Sequence, residues 1–105
     1  MKAASNSEAG DLFLALSHPL RRRILRAMIK DEAEISPRDL SLGLGEPLSR
    51  LSYHVRILAW CDAIELVRTE QVRGSMQHFY RLIVDERWAR MALEATGDPP
   101  EKAKP

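Results

Sequence analysis

A single cysteine, Cys61, stands in this chain of 105 residues. A lone thiol excludes an intramolecular disulfide framework and fits a reducing compartment. Long apolar runs are missing as well. None approaches the roughly 20 residues that cross a bilayer. The opening MKAASNSEAG lacks the apolar core of a secretory signal. A cytoplasmic protein with no membrane partner is expected. An excess of one charge is also absent. The formal net charge of +1 announces no nucleic-acid partner, so any basic patch must come from how the charges are distributed. At this length one domain with one core is expected.

Clusters that carry metal or catalytic chemistry are absent too. The thiol and imidazole ligands are Cys61, His18, His54 and His78, far apart and without ligand spacing. No metal site and no cofactor are expected. Cys61 is followed by Asp62, whose charge disfavours a thiolate. No paired carboxylates share an apolar pocket wall, and no glycine-rich phosphate loop follows a strand, so an enzyme is not expected.

What is present centres on PRDLSLGLGEPLSRLSYHVRIL, Pro37 to Leu58. Ser36 is placed to cap a helix with Pro37 at its first position and Asp39 in its first turn. Gly43 to Pro47 forms a turn. The helix over 48–60 follows, with Leu48, Leu51, Val55 and Leu58 on one face. The other face holds Ser49, Arg50, Ser52, Tyr53 and Arg56, without a carboxylate. This is a helix-turn-helix pattern, whose second helix enters the major groove of DNA. From Leu48 to Val84 five arginines (Arg50, Arg56, Arg68, Arg73, Arg81) face three acids (Asp62, Glu65, Glu70).

The flanks complete the pattern. Residues 1–9 read as a disordered lead, 10–96 as the domain and 97–105 as a flexible tail. The short helix from Asp11 carries Leu12, Phe13, Leu14 and Leu16, more apolar surface than one core face needs. Either it is fully buried or a partner subunit covers part of it. The helix over 19–30 buries Leu20, Ile24, Leu25, Met28 and Ile29. Its Arg21, Arg22, Arg23 and Arg26 lie mostly outside that stripe, as a solvated face or as phosphate contacts. Ala63 to Thr69 alternates as a strand, Gln71 to Ser75 is a turn with Gly74 free for positive φ, and His78 to Val84 is the return strand. A basic-tipped hairpin after a helix-turn-helix is a wing, spanning 68–78. Asp85 caps a last helix over 86–96 with Trp88, Met91, Ala92 and Ala95 as its apolar stripe. The fold expected is mainly α with a small β-hairpin, a winged helix-turn-helix in the order α-α-α-α-β-β-α.

Three pieces carry a family likeness: ALSHPLRRRIL (Ala15 to Leu25), the Ser52-Tyr53-His54-Val55-x-x-Leu58 run, and Arg73-Gly74 followed by Phe79-Tyr80-Arg81-Leu82. With them the chain resembles the ArsR-type winged-helix repressors of bacteria over about residues 10 to 95. The resemblance implies a homodimer built from the first and last helices and bound to a near-palindromic operator in double-stranded DNA. It implies an interface of Leu12, Phe13, Leu16, Trp88, Met91, Ala92 and Ala95. The metal sensors of that family place Cys-x-Cys in the helix before the reading helix, where this chain has PRDLSLGL. They also use Asp and His pairs on the last helix, and ERWARMALEA has neither. The resemblance thus carries the DNA-binding fold without that ligand chemistry, and the effector is unknown.

The DNA-contacting set is Ser49, Arg50, Ser52, Tyr53, His54 and Arg56 on the reading helix and Arg68, Gln71 and Arg73 on the wing. Arg50 suits a bidentate guanine contact, Arg56 a phosphate, and Arg73 a minor-groove or phosphate contact. His54 either approaches DNA or anchors the helix. The competing reading is a winged-helix protein–protein adapter without specific DNA binding; a metal- or small-molecule-responsive sensor is a third.

Overall fold

A computed structural model describes residues 12–31 and 34–99. The lead over 1–9, Asp11 and most of the expected tail lie outside the described residues. Residues 12–16 form a short helix, α1. Four helices and two strands follow: α2 (Pro19–Asp31), α3 (Pro37–Leu44), α4 (Leu48–Trp60), β1 (Ile64–Val72), β2 (Ser75–Leu82) and α5 (Glu86–Ala95). The order is the one expected, and the architecture is a winged helix-turn-helix. Among the described residues no helix is long and apolar enough to cross a membrane.

The core forms where the helical stripes meet. Leu20, Ile24, Leu25, Met28 and Ile29 of α2 are buried, as their spacing requires. They join Leu40 of α3, Leu51, Val55 and Leu58 of α4, and Ala89 and Leu93 of α5. α3 packs on α4, and α5 on α2. The hairpin attaches through Ile64 and through Ile35, whose N–H and C=O both bond Tyr80 at 2.9 Å.

Several expectations change on contact with the fold. Leu48 is 46% exposed, because at the first position of α4 it projects beyond the core that Leu51 reaches. The strands run to the wing tip, so the turn is only Arg73-Gly74, with Val72 opposite Ser75. α5 buries Ala89 and Leu93, while Trp88 and Met91 remain exposed. Trp88, Met91, Ala92 and Ala95 are therefore a second apolar side of the helix, not its core side. α1 behaves similarly: Ala15 is fully buried, whereas Phe13 is 78% exposed and Leu12 and Leu16 are half-buried.

The arginines of α2 are neither a solvated face nor free phosphate contacts. Arg22 bonds Asp98 at 2.6 and 3.0 Å and the Leu16 carbonyl at 2.7 Å. Arg26 reaches Asp98 at 2.9 Å and the Leu93 carbonyl at 2.9 Å. Arg23 bonds Glu46 and the Leu44 carbonyl, both at 2.9 Å. Asp98, expected in a flexible tail, instead holds the end of α5 onto α2. Its two guanidinium partners, Arg22 first, keep its carboxyl well below the usual carboxylate range.

Candidate nucleic-acid interface

The helix-turn-helix is set by caps at α3. Ser36 Oγ accepts from the Asp39 N–H at 3.1 Å, and Asp39 Oδ2 accepts from the Ser36 N–H at 3.3 Å. This reciprocal box satisfies two backbone donors that a helix start leaves open. Gly45, at φ 69°, ends α3 in the left-handed region, and its N–H bonds the Ser41 carbonyl at 2.9 Å. A side chain there would strain the backbone, so the glycine fixes the turn that aims α4.

α4 turns Leu51, Val55 and Leu58 inward. Ser49, Arg50, Tyr53 and Arg56 are exposed on the outside, and Ser52 is half-buried between the two faces. Arg50 lies 3.2 Å from Glu46, one turn earlier. An exposed pair of this kind contributes little. Glu46 keeps Arg23 as a partner if Arg50 leaves, so Arg50 can swing to another acceptor at small cost.

His54 departs from the expected reading face. It is 6% exposed, in phase with Leu51 and Leu58 on the inner side. Its Nδ1 lies 3.0 Å from Arg21 Nη1. A guanidinium only donates, so Nδ1 is the acceptor and the neutral ring carries its proton on Nε2. His18 packs over the ring at a centroid distance of 4.3 Å, and Tyr53 meets it edge-on at 5.0 Å. Arg21, 7% exposed, also donates to the Leu14 carbonyl at 3.1 and 3.0 Å and to Ser17 Oγ at 2.9 Å. One guanidinium thus joins the end of α1, the start of α2 and the middle of α4. Burial, and then the nearby Arg21 and Arg50 charges, hold both histidines below the ordinary imidazole value; His18 adds to the effect on His54. The signal for this anchor is helical phase: Arg21 falls three and seven residues before Ile24 and Met28, and His54 lies between Leu51 and Leu58.

In the wing, Arg73 and Gly74 both take positive φ, 50° and 82°. That two-residue turn matches the twist of the strands it joins. Arg73 and Gln71 are exposed at the tip. Arg68 differs. It bonds Glu34 at 2.6 Å and Glu70 at 2.9 Å and lies 3.9 Å over the Phe79 ring. Those partners, Glu34 first, raise its pKa and hold it toward the base of the wing in this structure. Arg38 is exposed at the start of α3. Among the described residues, Arg38, Arg56 and Arg73 have no hydrogen-bond or ion-pair partner, in contrast to every arginine of α2.

The family model of a Helix-turn-helix domain matches residues 16–67. Among solved structures, the chain is similar to HlyU from Vibrio cholerae at 25% identity and a TM-score of 0.62, covering 91% of this chain and 94% of that one. It is similar to NolR from Sinorhizobium fredii at 24% identity and a TM-score of 0.59, covering 91% and 93%. An ArsR-like transcriptional regulator from Rhodococcus sp. RHA1 aligns at 23% identity and a TM-score of 0.57, covering 92% and 84%. A search of curated protein sequences returned no match. A helix-turn-helix model lying over α2 to β1, and likeness to these structures over nine-tenths of the chain, agree with the capped α3–α4 pair and its wing: the chain carries a helix-turn-helix domain on the winged fold that ArsR-like transcriptional regulators share.

Proposed function

We propose that the protein is a homodimeric repressor that binds a near-palindromic operator, with α4 in the major groove and the wing on the flanking minor groove or backbone. One observation carries this reading. The exposed side of α4 offers Ser49, Arg50, Tyr53 and Arg56, and no carboxylate within the helix opposes them. Arg50 is the guanine-reading candidate, Arg56 and Arg73 are phosphate or minor-groove contacts, and Ser49, Ser52, Tyr53 and Gln71 support them. Two such helices in a symmetric dimer span half-sites about 34–36 Å apart.

The dimer is supported by apolar surface that one chain leaves open. Phe13 on α1 and Trp88 and Met91 on α5 are large, exposed and outside the core. Trp88→Arg is expected to give monomers in sedimentation; a persistent dimer rejects α5 as the interface.

Selection of bound sequences from random duplexes tests the whole reading. An inverted repeat with half-sites one helical turn apart is the expected result. Absence of enrichment rejects it. The adapter reading has Leu42 and Leu48 in its favour, both exposed beside the reading unit. Duplex binding that does not respond to salt decides for the adapter, because phosphate neutralisation must release counterions.

A further inference from the structure

A cleft of about 390 Å³ opens between the start of α3 and the wing tip, lined by Arg38, Val72, Arg73, Ser75 and Gln77. Two guanidiniums border it, and neither has a carboxylate partner among the described residues. The nearby acids are committed elsewhere. Asp39 closes the cap of α3 on Ser36. Glu70, opposite Gln77 in the hairpin, is bonded to Arg68. The cleft is therefore a concentration of positive charge with amide and hydroxyl groups beside it.

Local stability does not account for either arginine. A cation in the first turn of a helix opposes the helix dipole. Arg73 occupies a positive-φ turn position that asparagine or glycine takes with less strain. Two like charges facing one cleft also repel each other, which a bound anion relieves. The guanidinium fork pairs two N–H groups with two phosphate oxygens, so the chemistry selects a phosphate over a simple halide.

We infer that this cleft seats one backbone phosphodiester of duplex DNA, held jointly by Arg38 from α3 and Arg73 from the wing. The inference rests on the DNA-binding reading and adds a contact to it. A phosphate gripped from both sides locks the wing to the helix-turn-helix, so the reading helix and the wing engage the duplex as one rigid unit. The contact is blind to base sequence and sets position and affinity rather than specificity.

The test uses the full chain and its selected duplex, with a random duplex beside it, and follows affinity by anisotropy across a range of salt. Arg38→Gln is expected to weaken both duplexes by the same several-fold factor, and Arg38→Lys to restore most of the loss. The Arg38→Gln, Arg73→Gln double variant is expected to lose little more than either single variant, since both act on one phosphate. Its salt slope should fall by about 0.9. Circular dichroism verifies that each variant is folded. Wild-type affinity for Arg38→Gln overturns the inference, and so do losses that multiply in the double variant, which mean two separate phosphates. If the wild type itself shows no salt-dependent duplex binding, the DNA reading fails and the cleft assignment falls with it; a wild-type slope with an inert Arg38 removes the cleft alone. Inorganic phosphate serves as a separate probe. Saturation of the Arg38 and Arg73 Nε–H resonances by free phosphate, with duplex binding unchanged in Arg38→Gln, assigns the cleft to a free anion and overturns the DNA assignment.

Discussion

α2 and α4 are both 13 residues long, and both carry arginines that meet different fates. In α2, Arg21, Arg22, Arg23 and Arg26 all end on carbonyls, carboxylates, a hydroxyl or an imidazole within the same chain. In α4, Arg50 holds only a surface pair with Glu46, and Arg56 has no partner among the described residues. The difference is not in residue type but in what packs above. α2 is the central helix, covered by α1, α5 and the turn before α4, so its guanidiniums meet the open carbonyls of helix ends. Among the described residues, nothing lies over the outer side of α4. A basic stretch is thus a fastening device under other elements, and at the edge of the fold it stays open to a partner.

The largest effect on this contrast is expected from Arg21→Ala. It strips two bonds from the Leu14 carbonyl, one from Ser17 and the anchor of His54. Loss of a charged donor from a buried site costs about 2–3 kcal/mol. Urea unfolding should show that loss; a midpoint within error of the wild type contradicts the fastening role. Arg50→Ala should do the reverse. Stability stays within about 0.5 kcal/mol, as for an exposed substitution. Discrimination between the operator and a guanine-substituted site falls by about 1–3 kcal/mol. Footprinting with unchanged affinity and selectivity rejects Arg50 as a base reader.

Acidity gives a third and smaller comparison. His18 and His54 are held below the unfolded imidazole value, so between about pH 6.5 and their folded values the unfolded chain binds more protons. Stability from this pair is therefore present above that window and is lost as pH falls through it. Asp98 has the same sign but acts lower. Its depressed carboxyl contributes stability above the ordinary carboxylate range and loses it on further acidification. Urea midpoints at about pH 7.5 and 5.5 lie on either side of the ordinary imidazole value. His54→Gln should flatten the difference, and Asp98→Asn should leave it unchanged while lowering the midpoint at both values. A wild-type midpoint with no pH dependence across the window rejects the histidine pair as its source.

Much of the fold was legible because it depends on local period and punctuation. The α2 stripe, the Ser36-Pro37-x-Asp39 cap and the Leu51-Val55-Leu58 face are each decided within a few residues. The rest depends on partners distant in sequence. Asp98 lies 76 and 72 residues from the two arginines it holds, so no pattern near it separates an anchored carboxylate from a tail. Arg68 reads as a wing contact, and its intrachain partners Glu34 and Phe79 cannot be seen from its local pattern. The α5 stripe of Trp88, Met91, Ala92 and Ala95 is legible as apolar, but the core side of the helix, Ala89 and Leu93 against α2, is not singled out by the sequence pattern. His54 was open between two roles; it lies in phase with the core, and Arg21 supplies the polar partner that lets it stay there.

In the proposed function α2 fastens the fold while α4 and the wing meet the duplex. The most direct test is the salt slope of duplex affinity for Arg22→Gln and Arg56→Gln, measured at a temperature where both are folded. Arg56→Gln should reduce the slope by about 0.9, one phosphate's share, while Arg22→Gln leaves it at the wild-type value. A slope reduced by Arg22→Gln and untouched by Arg56→Gln contradicts the assignment of the two helices.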